Sequence, residues 1–247
     1  MRLFGLIGYP LAQSFSKKYF TAKFEKEGIK NCSYQLFEIK SVYELKNILE
    51  SHPELEGLNV TIPYKQLVLR HLNTTKNIPE GLRACNCIKI KNGVLSGYNT
   101  DVTGFEKSFI PLLKQHHTNA LILGNGGATA AVIFVLEKLG IRYDVVSRKL
   151  HDGSTLTYQD LNEKQIRDHT VIINTTPLGS FPAVDHCPDI PYHFITDSHY
   201  LFDVVYNPVK SLFLQKGEER GAAIKNGYDW LLIQAEESWR IWNEASG

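Results

Sequence analysis

Several stretches of the chain carry residues whose types and spacing could do chemistry. Leu121-Ile122-Leu123-Gly124-Asn125-Gly126-Gly127-Ala128 runs from an apolar segment through glycines into a helical pattern. Glycines let a backbone turn tightly and approach a pyrophosphate, whose charge is received by free N–H groups at the positive end of the next helix. Gly124-x-Gly126-Gly127 is a variant of the dinucleotide fingerprint, with Thr129 where that pattern has Gly or Ala. A tight βα turn without a ligand is the competing reading. The following strand ends in Val146-Ser147-Arg148-Lys149. An acidic residue there would meet a ribose 2′-hydroxyl, whereas a 2′-phosphate needs positive charge. Arg148 can fork onto phosphate and Lys149 adds a point charge, which favours NADP over a merely solvated basic turn. Asp152 comes too late in the loop for the NAD arrangement.

A second set lies in the first hundred residues. Ser14-Phe15-Ser16 follows a Gly-Tyr-Pro turn, and Asn59-Val60-Thr61-Ile62-Pro63-Tyr64-Lys65 leaves a strand end. Alternation along an extended chain puts Asn59 and Thr61 on one face, where the hydroxyls of Ser14 and Ser16 could join them in a polyol pocket. Ser-x-Ser is equally a helix N-cap. Tyr98-Asn99-Thr100-Asp101 precedes a helix, so Asp101 could be a carboxylate at a helix N-terminus.

The elements that must position these residues read as linked βα units, in which short apolar runs alternate with segments of helical period, and the fold class is α/β. Strands are expected at residues 2–8, 33–39 and 58–62, the last stopped by Pro63. Helices are expected at 16–27, with Tyr19, Phe20 and Phe24 inward and Gly28 closing it, and at 42–51. Residues 87–90 and 94–97 flank an Asn92-Gly93 hairpin turn. A helix at 103–113 leads to the polar stretch 114–119, read as a domain join. Beyond it come strand 120–123, helix 128–139 closed by Gly140, and strand 142–146, one complete βαβ unit. Strands at 171–174, 201–205 and 222–225, a helix at 211–220 and a long amphipathic helix at 228–244 complete the pattern.

The chain has 247 residues, 43% hydrophobic and 21% charged, which allows one large domain or two modest ones. Lys and Arg total 27 against 26 Asp and Glu, so no net field holds a polyanion and nucleic acid is not expected. The apolar start is broken by Gly5, Gly8 and Pro10, and no membrane span is expected. Cys32, Cys85, Cys87 and Cys187 form no disulfide framework, and Cys85-x-Cys87 lacks the usual zinc spacing. Reduced thiols in a cytoplasm are expected. The nine histidines include no H-E-x-x-H pattern, and no metal site is expected.

The set Ser14-x-Ser16, Asn59-Val60-Thr61-Ile62-Pro63-x-Lys65, Asn86, Asn99-Thr100-Asp101, Gly124-x-Gly126-Gly127, Asn174-x-Thr176 and Gln234 resembles the shikimate dehydrogenase family, in family order over nearly the whole chain. The resemblance implies reversible reduction of 3-dehydroshikimate to shikimate with NADPH, on the chorismate route to aromatic amino acids. It implies an α/β substrate domain over 1–101, joined by the final helix 228–247, a Rossmann-type NADP domain over 102–227, and a cleft between them. It implies a small-molecule substrate and a monomer or homodimer. Ser14, Ser16, Asn59, Thr61, Asn86, Tyr206 and Gln234 match the family's substrate ligands, and Lys65 and Asp101 its catalytic pair. Gly124, Asn125, Gly126, Gly127, Ala128, Ser147, Arg148, Lys149, Thr175, Val204 and Gly227 fall where the family contacts its cofactor.

Hydride arriving at a ketone carbon leaves negative charge on oxygen, so a proton donor must stand at roughly 2.6–3.2 Å. With an ordinary pKa near 10.4, a lysine is a good donor and a poor base. Asp101 would orient the Lys65 ammonium. Burial would push the lysine down and the carboxylate would push it up, so the proton role is assigned to the pair jointly. Three departures from the family pattern stand out. Ala84-Cys85-Asn86-Cys87 replaces Ala-Val-Asn-Thr, Ser147-Arg148-Lys149 replaces Asn-Arg-Thr, and Tyr228-Asp229-Trp230-Leu231 replaces a Met-Leu run, with Trp230 expected at the nicotinamide wall. Two alternatives remain open: a quinate/shikimate dehydrogenase using NAD, and a shikimate-binding regulatory paralogue without turnover.

Overall fold

The computed structural model describes residues 1–11, 14–150 and 153–244, so Asp152 lies outside the described residues. The chain forms two compact units, Met1–Thr100 with the segment that begins at Ala235, and Asp101–Gln234.

The first unit holds strands β1 (Arg2–Gly8), β2 (Cys32–Glu38), β3 (Leu55–Val60), β4 (Thr74–Asn77), β5 (Cys87–Lys91) and β6 (Val94–Tyr98), with helices α1 (Phe15–Lys26) and α2 (Leu45–Ser51). One sheet runs in the order β2-β1-β3-β5-β6-β4. β1 is parallel to β2 and β3, while β5 is antiparallel to β3 and β6. The α1 C-terminus closes as expected: Gly28 has φ +67°, and the Ile29 amide donates back to the Phe24 carbonyl at 2.8 Å. Phe4, Phe20, Phe24, Tyr34 and Trp242 share the core. Trp242 lies on Gly57, where any Cβ would overlap the indole, and donates to the Ile88 carbonyl at 3.0 Å.

The second unit holds β7 (Asn119–Leu123), β8 (Arg142–Ser147), β9 (Leu156–Thr157), β10 (Val171–Asn174), β11 (Tyr200–Asp203) and β12 (Ala223–Lys225), and helices α3 (Asp101–Phe109), α4 (Thr129–Lys138), α5 (Glu163–Asp168) and α6 (Leu212–Glu218). Helix α7 (Tyr228–Asn243) begins in this unit and ends in the first. The sheet order is β12-β11-β10-β7-β8-β9, parallel throughout. Counted from β7, this is the 3-2-1-4-5-6 order of the doubly wound dinucleotide fold. β7, β10 and β11 are buried at nearly every position, as strands covered on both faces are.

Four sequence expectations change. The polar stretch 114–119 is not a join. It lies within the second unit, where His117 is 4% exposed and accepts the Lys114 amide at 2.9 Å, and burial holds its pKa below the ordinary imidazole value. β3 starts at Leu55 and ends at Val60, because Thr61 opens a turn in which the Tyr64 amide donates to the Thr61 carbonyl at 2.9 Å, so strand alternation does not place Thr61 on the face of Asn59. The helix expected at 103–113 begins at Asp101 and tightens into a 3₁₀ turn at Ile110–Leu112, where Pro111 cannot continue the ladder. Trp230 is a core residue, 6% exposed. Its ring lies 5.1 Å from Phe105 and 6.2 Å from Phe202, and a Cβ on Gly104 would come within 2.5 Å of it. The polar edge strand β4, the two-residue β9 and the six-residue α5 are additional elements, too short or too polar to show a period. Among the described residues no helix is long and apolar enough to cross a membrane, and no group of His, Cys, Asp and Glu could hold a metal ion.

Candidate active site

In the first unit the ends of β3, β5 and β6 bring polar side chains into a buried network. Asn59, 5% exposed, accepts from the Tyr34 hydroxyl at 2.9 Å. Its amide nitrogen donates to the Asn86 carbonyl at 3.3 Å and to Ser238 Oγ at 2.9 Å. Asn86 sits just before β5, donates to Thr100 Oγ1 at 2.9 Å and accepts from the Thr100 amide at 2.6 Å. Thr100 Oγ1 lies 3.3 Å from Ser238 Oγ. Ser16 lies in the first turn of α1. Burial pushes the Tyr34 phenol well above its usual pKa, so it stays a neutral donor to Asn59.

Ser14 takes the N-cap position of α1 yet makes no cap bond, so Ser-x-Ser does not cap this helix through its side chains. Among the described residues its buried Oγ has no partner. A buried hydroxyl left unpaired in this way costs free energy that a ligand oxygen could offset. Thr61 and Lys65 are partly buried, and the Lys65 carbonyl receives the Cys85 amide at 2.8 Å, which ties the lysine segment to the strand end carrying Asn86. Cys85 and Cys87 are free thiols with no exposed surface on either side of Asn86, and burial raises Cys87 far above the usual thiol range.

In the second unit Gly124 follows β7 with φ +105°, and Thr175 follows β10. β7 and β10 are adjacent, and the crossovers leave them toward opposite edges, so their carboxyl ends form the topological switch point. Thr175 Oγ1 donates to the Leu123 carbonyl at 2.9 Å and lies 3.0 Å from Thr129 Oγ1, which accepts the Gly126 amide at 3.0 Å. Among the described residues the amides of Asn125, Gly127 and Ala128 donate to no protein acceptor. A Cβ on Gly126 would have no atom nearer than 3.8 Å, leaving the turn open above the α4 N-terminus. This arrangement fits a pyrophosphate.

Ser147 is buried and donates to the Lys149 carbonyl at 2.5 Å, shaping the turn on which Arg148 and Lys149 stand exposed. Gly227 packs against Val204 so closely that a Cβ would overlap the Val204 carbonyl. Asp203, fully buried, accepts from Asn174 Nδ2 at 2.9 Å, from the Val205 amide at 3.0 Å and from Ser211, which fixes the loops after β10 and β11 to each other. Burial lifts its pKa to about 6 despite those three bonds. Asp101 is in the first turn of α3, where the helix dipole favours a carboxylate. Half-buried Tyr206 follows β11, and burial raises its hydroxyl. Gln234, on α7, donates to the Leu231 carbonyl at 3.1 Å.

The structure thus joins Asn59 and Asn86 in one network, and Gly124, Gly126 and Thr175 in another. Sequence reading missed Tyr34, Ser238 and Asp203, and took Thr129 only as a departure from the glycine pattern. Ser238 had a signal: it is a hydroxyl on the buried stripe of α7 between Ala235 and Ile241.

Residues 6–88 match the shikimate dehydrogenase substrate-binding domain. A shikimate dehydrogenase (NADP(+)) of Methanococcus maripaludis strain C6 is 36% identical over 261 residues, covering 98% of this chain and 91% of the relative. The chain belongs to the shikimate dehydrogenase family. Its fold agrees with those of solved structures. A shikimate 5-dehydrogenase from Thermus thermophilus in complex with NADP(H) and shikimate has a TM-score of 0.84 at 26% identity, covering 98% of this chain and 94% of that one. A quinate dehydrogenase from Corynebacterium glutamicum in complex with NAD has a TM-score of 0.85 at 25% identity, with 98% and 93% covered. The shikimate dehydrogenase domain match falls wholly in the first unit, the one holding the Asn59–Asn86 network.

Proposed function

We propose that the protein is an NADP-dependent shikimate dehydrogenase that interconverts 3-dehydroshikimate and shikimate. The observation that carries this reading is a glycine turn with unpaired amides at the switch point of a 3-2-1-4-5-6 sheet, in a chain whose other unit matches the shikimate-binding domain. NADP supplies hydride exchange at its nicotinamide. Gly124, Asn125, Gly126, Gly127 and Ala128 cradle the pyrophosphate, Thr175 buttresses the turn, and Arg148 with Lys149 meets the 2′-phosphate. Val204 and Gly227 shape the far side of the cofactor site.

In the first unit Ser14 and Ser16 receive the substrate carboxylate. Asn59, Thr61 and Asn86 hold ring hydroxyls, joined by Tyr206 and Gln234. Lys65 and Asp101 together give the proton to the nascent alkoxide and take it back in the reverse direction. The four free cysteines agree with a reducing cytoplasm.

The quinate dehydrogenase likeness favours a second reading, quinate with NAD, and exposed Arg148 and Lys149 argue against its cofactor half. Steady-state rates with shikimate or quinate and NADP+ or NAD+ decide between them. The expected result is the highest kcat/KM with shikimate and NADP+. Shikimate binding without turnover in any pairing would overturn the enzyme reading.

A further inference from the structure

We infer that Tyr64 and Glu38 are positioning residues that share one anchor, the end of β2: Tyr64 fixes the segment of Lys65 to it, and Glu38 fixes the loop of Ser14. The inference rests on the function proposed above and adds to it two residues that act through others.

Lys65 stands on a turn rather than on a strand. From Thr61 the chain bends, with the Tyr64 amide donating to the Thr61 carbonyl and the Val68 amide to the Tyr64 carbonyl, each at 2.9 Å. These bonds shape the turn without fixing its far end to the sheet. Its start is tied to β1, where the Thr61 amide donates to the Ile7 carbonyl at 3.0 Å. Around Lys65 two long-range ties take over. The Tyr64 hydroxyl, on a side chain 3% exposed, donates to the Ile39 carbonyl at 2.6 Å, 25 residues back along the chain. On the other side the Cys85 amide donates to the Lys65 carbonyl at 2.8 Å. A phenylalanine would fill the same space as Tyr64, so what the hydroxyl adds is a fixed direction for the peptide that leads into Lys65.

The same strand end holds the serine loop. Glu38, the last residue of β2, accepts the Leu11 amide at 2.7 Å, and the Leu11 carbonyl accepts the Ser14 amide at 3.0 Å. A carboxylate acceptor makes the first of these bonds charge-assisted. Ile39 is itself fixed to β1, its amide donating to the Gly8 carbonyl at 3.2 Å. A Cβ on Gly8 would overlap both Thr61 and Leu11, so the two loops meet over that glycine without slack. The proposed substrate is a ring that carries its carboxylate and its reacting oxygen at a set separation. The groups that receive them must keep theirs to within about 0.5 Å, and a common anchor at Glu38 and Ile39 supplies that.

The test uses the full chain with shikimate and NADP+. Tyr64→Phe should lower kcat about fivefold to tenfold, the equivalent of one lost hydrogen bond, and in a Lys65→Ala background it should cost less than about twofold more, because its effect passes through that lysine. Glu38→Ala should raise KM for shikimate about fivefold to tenfold, and Glu38→Gln, whose amide oxygen still accepts the Leu11 N–H, should restore it to within about twofold. A purely structural role would lower the melting temperature and leave kcat and KM of the folded fraction unchanged. Unchanged kcat in folded Tyr64→Phe, or the same fold-loss with and without Lys65, overturns the role of Tyr64. Unchanged KM in folded Glu38→Ala overturns that of Glu38.

Amide hydrogen exchange in the free protein probes the anchor without substrate, and does so even where a variant fails to fold. In the unaltered chain the Leu11 and Cys85 amides should exchange slowly, and fast exchange at either would refute the anchor. Glu38→Ala should accelerate Leu11, and Tyr64→Phe should accelerate Cys85, each about fivefold or more. Slow exchange at both amides in a protein that turns over no shikimate would refute the proposed function and leave the anchor standing.

Discussion

Replacing Gly124 by alanine tests the cofactor turn most directly. Gly124 has φ +105°, a conformation that costs an L-residue of order 1–3 kcal/mol. Its new methyl would also lie 2.7 Å from Thr176 Cγ2 and 3.1 Å from Thr175 Oγ1. Neither neighbour is loose. Thr176 Oγ1 and its amide both bond Asn174 Oδ1, at 2.6 and 3.0 Å, and Thr175 Oγ1 bonds the Leu123 carbonyl at 2.9 Å. Moving one of them forfeits a hydrogen bond of about 1 kcal/mol, for a total near 2–4 kcal/mol. If the turn holds, that energy is lost from folding and should lower the melting temperature by about 5–10 °C for a chain of this size. If the turn relaxes, the amides of Asn125, Gly127 and Ala128 leave their places and KM for NADP+ should rise at least about tenfold. Thermal melts and initial rates measure both, with KM for shikimate as the internal control. Gly126→Ala is the contrast, since its methyl meets no atom within 3.8 Å: melting temperature should hold while KM for NADP+ rises, because the methyl fills the space above the helix end. A folded Gly124→Ala with unaltered melting temperature and unaltered KM for NADP+ would refute the reasoning.

Arg148→Ala should raise KM for NADPH and narrow its preference over NADH, since an exposed guanidinium at the end of β8 can favour only the phosphorylated ribose; an unchanged cofactor ratio would remove Arg148 from that role. Lys65→Ala should lower kcat far more than it raises KM for shikimate, as loss of a transition-state interaction does, and the reverse pattern would make Lys65 a binding residue. Asp203 holds its proton more tightly folded than unfolded, with a pKa of about 6 against 3.8, so its contribution to stability is complete at low pH and is lost as pH rises through about 6. Asp203→Asn should remove that decline, of order 3 kcal/mol, in denaturant titrations between pH 4 and 8, and curves that keep it would reject a buried, raised carboxyl.

The sequence alone determined those features that depend on neighbours along the chain. Gly28 closing α1, the Asn92-Gly93 turn between β5 and β6, the apolar runs of β7 and β10, and the glycine turn before α4 are local chemistry, legible because backbone conformation and period act over a few residues. The type and spacing of Ser14, Ser16, Asn59, Lys65 and Asn86 were equally legible, and they led to the family. What each side chain has left to offer was not. Asn59 and Asn86 are the same residue type, yet one has both amide hydrogens taken by residues 27 and 179 positions away, and the other keeps one. Trp230 reads the same in sequence whether it faces a ligand or fills a core; only the packing of Phe105 and Phe202 decided. The polar run 114–119 reads as a linker until His117 is seen buried. Hydrogen-bonding capacity is a finite quantity shared among atoms that meet only after folding, and for that reason the tertiary structure, not the order of residues, decides what each group has left to offer.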